Sequence, residues 1–236
     1  MTEDEFCQAY AQRECAAVAP LCEFAAASCE PTRANDCKMR IAVWRTSTGG
    51  TRPFRGANAE ACLDKVKTTY ATLPILGETL HALQDTCARV FQGTAKALEA
   101  CATDLDCDGS LICDKKLCAE KKIVAAGALC ANPGEICSTG ESCKPAAGGV
   151  LQCSKRRAAG EACSTADPCS EALRCTGVCA DRVTAGGCLQ DEDCTSNYCS
   201  PFSKNCSVGL VFAGGSASCL GYMGAAATPD GAATTD

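Results

Sequence analysis

The chain has few of the large side chains that normally fill a protein core. Its 236 residues include only 6 Phe, 4 Tyr and 1 Trp. It also lacks any apolar run near the roughly 18 consecutive residues that a membrane-spanning helix requires. We therefore expect no membrane span, and a core too small to hold the chain together without other cross-links.

Histidine and close cysteine pairs are also scarce, which excludes several kinds of active centre. His81 is the only histidine, and a zinc site or a Ser-His-Asp triad would need partners at spacings that the chain does not offer. We interpret His81 as a structural residue on a helix. No Cys-x-x-Cys or Cys-x-Cys occurs, which argues against thiolate metal sites, c-type haem and redox pairs. The sequence predicts no catalytic residue and no cofactor.

A strongly basic charge is missing too. The chain carries 22 basic and 28 acidic residues, for a net charge of −6. Its basic clusters, Lys121-Lys122 and Lys155-Arg156-Arg157, are short and lack interleaved aromatic residues, so a solvated surface is the better interpretation. Nucleic acid is therefore excluded as a partner.

Cysteine, in contrast, is abundant, with 24 residues. An even number of this size is typical of disulfide-linked proteins in oxidising compartments. We predict an extracytoplasmic protein that is secreted, periplasmic or exposed on the outer surface. The chain opens Met1-Thr2-Glu3-Asp4, without the basic start and apolar run of a secretion leader. We therefore expect any export signal or lipid anchor to lie on a removed segment.

Between Cys101 and Cys206 the cysteines form four quartets of similar spacing, which indicates an internal repeat. With so few apolar residues per unit, we predict short antiparallel β-hairpins and irregular loops. Each quartet allows three connectivities, and we favour first-to-third with second-to-fourth because it ties both loops into one knot. An Asp-x-Asp-Cys motif recurs before Cys107 and Cys194. The quartets are Cys101, Cys107, Cys113 and Cys118; Cys130, Cys137, Cys143 and Cys153; Cys163, Cys169, Cys175 and Cys179; and Cys188, Cys194, Cys199 and Cys206.

Residues 1–96 instead show helical periodicity and are predicted to form a small α-helical domain. We expect a first helix that ends before Pro20, a second over Leu21–Cys29, a third over Asn35–Trp44, and two more that begin near Asn58 and after Gly77. Cysteines seven or eight apart on one helix are about 10 to 12 Å apart along its axis, beyond disulfide reach. We therefore predict a helical hairpin with nested Cys15–Cys22 and Cys7–Cys29 bonds.

The cysteine count outside the quartets predicts a long-range bond. The helical part holds an odd number, so one of its cysteines needs a distant partner, and we expect Cys219 to pair with Cys37, Cys62 or Cys87. The predicted domains are 1–96, the disulfide-rich repeat region 97–223, and a disordered tail 224–236. The eight cysteines in question are Cys7, Cys15, Cys22, Cys29, Cys37, Cys62, Cys87 and Cys219.

One stretch is a weak calcium candidate. Asp104, Asp106, Asp108 and Gly109 match the opening of an EF-hand loop. The twelfth position is Lys115 where a bidentate glutamate is needed, and Cys107 and Cys113 fall inside the loop.

Several runs carry a family resemblance. They resemble the Dickkopf N-terminal cysteine-rich repeat as found in bacterial, myxobacterial-type secreted proteins and lipoproteins, and the helical part looks like the companion domain of those proteins. The resemblance implies an exported, disulfide-linked, envelope-anchored protein and transfers no functional residue. The runs are CATDLDCDGSLICDKKLC, GEACSTADPCSEALRCTGVC and GGCLQDEDCTSNYCSPFSKNC in the repeats, and NDCKMRI, EACLDKV and CARVFQG in the helical part.

Three functions are compatible with these patterns. The first is a binding or structural protein of the cell envelope or secreted fraction, not an enzyme, whose partner is an unknown protein or glycan at the cell surface. The second is an enzyme whose loop-built site leaves no motif, and the third is a thiolate metal-storage protein. A pocket that contains His81 or several close carboxylates would favour the enzyme. Bound metal and free thiols would favour metal storage.

Overall fold

A computed structural model describes residues 1–47, 50–201 and 203–224 of the chain. The chain divides into two compact units. The first consists of Met1–Val43, Phe54–Val90 and the chain from Thr184 onward, and the second of Trp44–Pro53 and Phe91–Val183. Except for Gly224, the predicted disordered tail lies outside the described residues. Among the described residues, no helix combines the length and the apolar character needed to cross a membrane.

Five α-helices, fourteen short strands and four short 3-10 helices make up the regular structure of the described chain. The helices are α1 (Glu3–Cys22), α2 (Ala26–Arg45), α3 (Gly56–Thr69), α4 (Gly77–Ala88) and α5 (Ala217–Tyr222). The strands are β1 (Thr46–Ser47), β2 (Gly50–Thr51), β3 (Ile75–Leu76), β4 (Ile112–Asp114), β5 (Leu117–Ala119), β6 (Lys122–Val124), β7 (Glu135–Cys137), β8 (Glu141–Pro145), β9 (Leu151–Lys155), β10 (Leu173–Cys175), β11 (Cys179–Asp181), β12 (Gly186–Gly187), β13 (Asn205–Cys206) and β14 (Gly209–Leu210).

Helix α1 is longer than its sequence predicts. It begins at a capping box in which the Thr2 hydroxyl accepts from the Glu5 amide at 3.2 Å and the Glu5 carboxylate accepts from the Thr2 amide at 2.6 Å. It then runs through Pro20 to Cys22, so the predicted end before Pro20 is wrong. Pro20 lies in the last turn, where its missing N–H removes one helical hydrogen bond, while Cys22 beyond it is buried.

Helix α2 replaces two predicted helices. The predicted segments Leu21–Cys29 and Asn35–Trp44 do not form separate helices, because the turn falls at residues 23–25 and α2 runs unbroken past Pro31. Glu23 takes a left-handed conformation with φ 58° and ends α1 there. The buried face of α2, with Cys29, Arg33, Cys37 and Ile41, continues across the proline, and its packing outweighs the loss of one backbone bond.

The disulfides between α1 and α2 differ from the predicted nested pair. The structure forms Cys7–Cys37 and Cys15–Cys29, with Cα–Cα distances of 5.5 and 5.9 Å. The spacing of Cys7 and Cys15 along α1 equals the spacing of Cys29 and Cys37 along α2. Two antiparallel helices with the same rise per residue therefore bring both bonds into register. The predicted Cys15–Cys22 and Cys7–Cys29 bonds are wrong because Cys22 belongs to α1 rather than to its partner helix.

The predicted return of the chain end to the helices is confirmed, but its predicted partners are wrong. Cys219, on α5, bonds to Cys22 rather than to Cys37, Cys62 or Cys87. Cys62 and Cys87 instead bond to each other and join α3 to α4. Strand β14 pairs antiparallel with β3, which places the chain after the fourth quartet beside the start of α4.

The predicted interleaved pairing occurs in all four quartets. Each quartet bonds its first cysteine to its third and its second to its fourth. The strand pairs β4–β5, β8–β9, β10–β11 and β12–β13 are antiparallel, as predicted, whereas β6 and β7 pair in parallel. The first three quartets belong to the second unit and the fourth belongs to the first unit with the helices. The boundaries of these two units differ from the predicted domain boundary between residues 96 and 97.

Candidate functional site

The first unit contains a cavity of about 300 Å³. Its walls come from α1, α2, α4 and α5, from β14, and from the loops of the fourth quartet. The volume is at the lower end of the roughly 300–1,000 Å³ typical of small-molecule sites. The lining residues are Tyr10, Glu14, Arg33, Arg40, Tyr70, Leu80, His81, Leu83, Gln84, Asp191, Tyr198, Cys199, Pro201, Leu210 and Tyr222.

The lining brings together every tyrosine of the protein and its single histidine. They reach the cavity from widely separated parts of the sequence: Tyr10 from α1, Tyr70 from the end of α3, His81 from α4, Tyr198 from the fourth quartet and Tyr222 from α5. All four tyrosines are buried.

A buried carboxylate organises the floor of the cavity. Glu14 is fully buried and accepts from Arg33 twice, from Nε at 2.7 Å and from Nη2 at 3.0 Å. It also accepts from the Tyr70 hydroxyl and, at 3.0 Å, from the Tyr222 hydroxyl. The two hydroxyl oxygens are 2.6 Å apart. Four donors therefore saturate one carboxylate, as a buried charge requires.

The electrostatics of this cluster favour the charged pair and neutral phenols. Burial alone would raise the pKa of Glu14, but the hydrogen-bonded Arg33 guanidinium holds that pKa below its ordinary value of 4.5. The pKa of Arg33 is raised because Glu14 outweighs the effect of burial. Burial, reinforced by the Glu14 charge, raises the pKa of Tyr70 and of Tyr222 well above 10.0.

The two arginines of the cavity differ in their partners. Arg33 pairs with Glu14 and with Asp36, at 2.5 Å, and its guanidinium carbon lies 4.3 Å from the centre of the Tyr222 ring. Arg40 stacks more loosely, 5.7 Å from the centre of the Tyr10 ring. Within the described part of the chain, no carboxylate lies within ion-pair distance of Arg40. Burial raises the pKa of Tyr10 to about 12.

His81 and Asp191 form a second polar pair in the lining. His81 Nε2 lies 2.7 Å from Asp191 Oδ2, and both side chains are partly exposed, at 42% and 32%. The other carboxylate oxygen, Oδ1, accepts from the Cys199 amide at 2.7 Å. Asp191 is therefore fixed by the backbone and can orient the imidazole. Burial, with the Asp191 charge, raises the pKa of nearby Tyr198 to about 12.

Disulfides hold each wall of the cavity. Glu14 directly precedes Cys15, and Arg33 follows Cys29 by one helical turn, so the Cys15–Cys29 bond fixes their helices next to the ion pair. The Cys22–Cys219 bond anchors α5, which carries Tyr222. Cys188–Cys199 and Cys194–Cys206 hold the loop that carries Asp191 and Tyr198. The cavity is thus preformed by covalent cross-links.

The predicted calcium residues lie in the second unit and have other partners. Asp104 accepts from the Cys113 amide at 2.7 Å. Asp106 accepts from Arg52 Nε at 2.9 Å and from the amides of Ala102 and Thr103 at 2.8 and 2.9 Å. Asp108 pairs with Lys96 at 2.6 Å. Internal donors therefore occupy the carboxylates that a calcium ion would need.

The recurrence of Asp-x-Asp-Cys now has a structural explanation. In the first quartet Asp104 binds the amide of the third cysteine, Cys113, and in the fourth quartet Asp191 does the same with Cys199. Asp193, like Asp106, accepts from two amides of the preceding turn, at 2.9 and 3.2 Å. The motif thus stabilises the loops of a quartet, and Asp191 alone of these four carboxylates also contacts the histidine.

Thiolate metal storage finds no support in the sulfur chemistry. In each quartet three sulfur atoms lie within 4.8 Å of one another, but these sulfurs belong to the two bonds of the interleaved pair. All 24 cysteines are in the described residues, and none is free. A disulfide sulfur is not the thiolate that binds metal.

This cavity was not predicted from the sequence. His81 was predicted to be structural, and no role was predicted for Glu14, Arg40 or the set of four tyrosines. One signal was present: Glu14 is an acidic residue on the face of α1 that also carries Cys7, Cys15 and Val18, so it had to be buried and paired.

Fold and cavity together define a disulfide-rich protein of the extracellular type. Twelve disulfides, six within each unit, fit an oxidising, extracytoplasmic environment. No family model, no curated protein and no solved structure matches the chain.

Proposed function

We propose that this protein is an exported small-molecule binding protein whose ligand occupies the cavity of the first unit. The observation that carries the proposal is the convergence of all 4 tyrosines and the only histidine on that cavity. Tyrosine offers a rigid apolar ring and a polar hydroxyl, which suits it to ligand recognition. The cavity thus offers four tyrosine rings that a ligand can contact.

The packing supports a binding site rather than an imperfect core. The Glu14 cluster is internally satisfied and serves as a rigid floor. The remaining lining is mixed, with Leu80, Leu83 and Pro201 beside Arg40 and His81, as expected of a pocket with a few orienting polar groups. Cross-linked walls lose little conformational entropy on binding, which favours affinity.

The repeat quartets support a role at the cell surface. We propose that the second unit contacts a protein or glycan partner in the envelope or outside the cell. The resemblance to Dickkopf N-terminal-type repeats of exported bacterial proteins belongs to this proposal. It is supported by similar cysteine spacing and one pairing pattern in four successive quartets.

An acid–base enzyme is the second candidate, favoured by the His81–Asp191 pair. A histidine oriented by a carboxylate at 2.7 Å can accept a proton from water or from a substrate hydroxyl. None of the described lining residues is a serine, a threonine or a reduced cysteine, so such an enzyme would activate a substrate group or water rather than form a covalent intermediate.

A ligand-observed NMR screen with small aromatic fragments of different charge tests the binding proposal. We expect several fragments to bind the oxidised protein, and Leu80→Trp, which fills the cavity, to abolish their binding. Leu98→Trp makes the same change at a side chain that is 70% exposed in the second unit and should leave binding intact. Binding that survives Leu80→Trp would contradict the proposal.

Turnover separates the two candidates. A binding protein returns each bound fragment unchanged after prolonged incubation, as mass spectrometry would show. An enzyme converts a fragment, and His81→Gln stops that conversion without abolishing binding. Conversion that depends on His81 would replace the binding proposal with the enzyme.

A further inference from the structure

Both carboxylates of the cavity lining already have hydrogen-bond partners, and so do the donors Arg33, Tyr70 and Tyr222. Glu14 is saturated by four donors. Asp191 has one oxygen on the Cys199 amide and the other next to His81. A ligand that offered only donors would therefore compete with existing hydrogen bonds, and a displaced donor that stays buried without a partner is unfavourable.

Two arginine side chains of the protein lie beside tyrosine rings of the cavity, in the positions where the cation of a ligand would stack. Arg33 lies 4.3 Å from the Tyr222 ring centre and Arg40 lies 5.7 Å from that of Tyr10. Cation–π sites of aromatic pockets hold ligand ammonium groups when the rings are vacant. Here guanidinium groups of the protein take these positions, which disfavours a cationic ligand.

Arg40 is a lining group that can bind an anion, because its guanidinium has further N–H donors beside its hydrogen bond to Tyr10. Its side chain is partly buried and lines the cavity, and among the described residues it has no carboxylate partner. A guanidinium has five N–H donors in a planar fork that matches a carboxylate with two parallel hydrogen bonds. Its partial burial strengthens such a pair relative to one in bulk water.

From these groups we infer that the ligand is a small aromatic monocarboxylate whose carboxylate pairs with Arg40 and whose ring packs among the tyrosines. This inference rests on the proposed binding function and specifies its ligand class. A single negative charge fits best, because the Arg40 guanidinium, which has no carboxylate partner in the described part of the chain, shares the cavity with the carboxylates of Glu14 and Asp191. A dianionic phosphate would be repelled by both.

A charge series of near-isosteric probes tests the inference by isothermal titration calorimetry. The probes are phenylacetate, the neutral phenylacetamide, the cationic phenethylamine and phenyl phosphate. We expect phenylacetate to bind about tenfold or more tighter than phenylacetamide, as one buried charge-assisted pair provides. Phenethylamine and phenyl phosphate are expected to bind more weakly than phenylacetate.

Variants assign the effect to the guanidinium. Arg40→Gln should bring phenylacetate down to the affinity of phenylacetamide without changing the affinity of the amide, and Arg40→Lys should keep part of the difference. Arg13→Gln is the matched control, because Arg13 lies on α1, pairs with Asp64 at 3.1 Å and does not line the cavity. Circular dichroism verifies that each variant is folded.

The outcomes separate the inference from the proposed function. If phenylacetamide or phenethylamine binds as tightly as phenylacetate, the ligand class is wrong and the binding function stands. If phenylacetate is preferred but Arg40→Gln keeps that preference, the role of Arg40 is wrong. If none of the four probes binds, the ligand class is wrong, and the fragment screen with Leu80→Trp decides the binding function separately.

Discussion

Removal of the charge on Glu14 should destabilise the first unit strongly. Glu14→Gln keeps the shape of the side chain but leaves Arg33 buried with Asp36 as its remaining carboxylate partner. The amide oxygen can accept from some of the four donors, whereas the amide nitrogen faces donors and repels them. Breaking a buried ion pair by removing one partner typically costs about 3–5 kcal/mol, and we expect a loss in free energy of unfolding within this range.

Guanidinium chloride unfolding of the oxidised protein measures this loss. Ellipticity at 222 nm reports chiefly on the first unit, because α1, α3, α4 and α5 lie there. We expect a lower midpoint with an unchanged slope, which marks a change in stability rather than in the surface exposed on unfolding. Glu60→Gln is the control, because Glu60 is an exposed residue of α3, and it should change stability by less than about 0.5 kcal/mol.

A second substitution tests the reason for the effect. Arg33→Met in the Glu14→Gln background removes the uncompensated charge, and apolar replacement of a buried pair is often neutral. We expect the double variant to regain at least half of the lost stability. A Glu14→Gln protein within about 1 kcal/mol of the wild type would refute the cost assigned to an unpaired buried charge. A double variant less stable than Glu14→Gln would refute the explanation by uncompensated charge.

Three further predictions follow from the same contacts. The pKa of Glu14 is lower in the folded chain than its ordinary value of 4.5. The contribution of Glu14 to stability is therefore complete above pH 4.5 and is lost as the pH falls through the folded pKa. Acid unfolding curves of the wild type and of Glu14→Gln should converge at low pH. The pKa of every tyrosine is raised, to about 12 for Tyr10 and Tyr198 and well above 10.0 for Tyr70 and Tyr222. Absorbance at 295 nm should therefore show no ionisation step near pH 10 in the native protein and a full step there in the reduced, denatured chain. A step near pH 10 in the native protein would contradict the burial of these phenols. Replacement of Cys22 and Cys219 by alanine frees α5 and Tyr222. It should lower the free energy of unfolding by about 2–4 kcal/mol, since other disulfides already shorten the loop that this bond closes. It should also weaken phenylacetate binding at least tenfold, whereas an unchanged affinity would exclude Tyr222 from the site.

The repeats were predictable because local spacing alone governs them. Five or so residues between cysteines allow few compact arrangements, so the interleaved bonds and short hairpins could be predicted from the chain. The parallel pairing of β6 with β7 could not, because strand direction depends on how the preceding loop crosses, which spacing does not encode.

The helical hairpin was mispredicted because proline was given too much weight. Pro20 and Pro31 each remove one backbone hydrogen bond, but burial of the cysteine-bearing faces of α1 and α2 stabilises the helices through both positions. Once the turn is placed at residues 23–25, the equal spacing of Cys7 and Cys15 and of Cys29 and Cys37 dictates their pairing. The error in the disulfides therefore came from the error in the helix boundaries.

The cavity could not be predicted because tertiary structure alone assembles it. Tyr10 and Tyr222 lie near opposite ends of the described chain, and the Cys22–Cys219 bond brings their elements to one site. His81 and Asp191 come from a helix and a repeat loop that sequence analysis assigned to different domains. A site made of single residues from distant segments leaves no local motif to detect.

The central claim is that the four tyrosines surround one ligand site, and tyrosine-selective NMR tests it most directly. A protein labelled with ¹³C at the tyrosine ring ε positions has one ring signal for each of its 4 tyrosines. On addition of phenylacetate we expect all four signals to shift with one common dissociation constant, while the indole signal of Trp44, in the second unit, stays in place. Shifts confined to one or two tyrosines, or an equal shift of Trp44, would contradict the account.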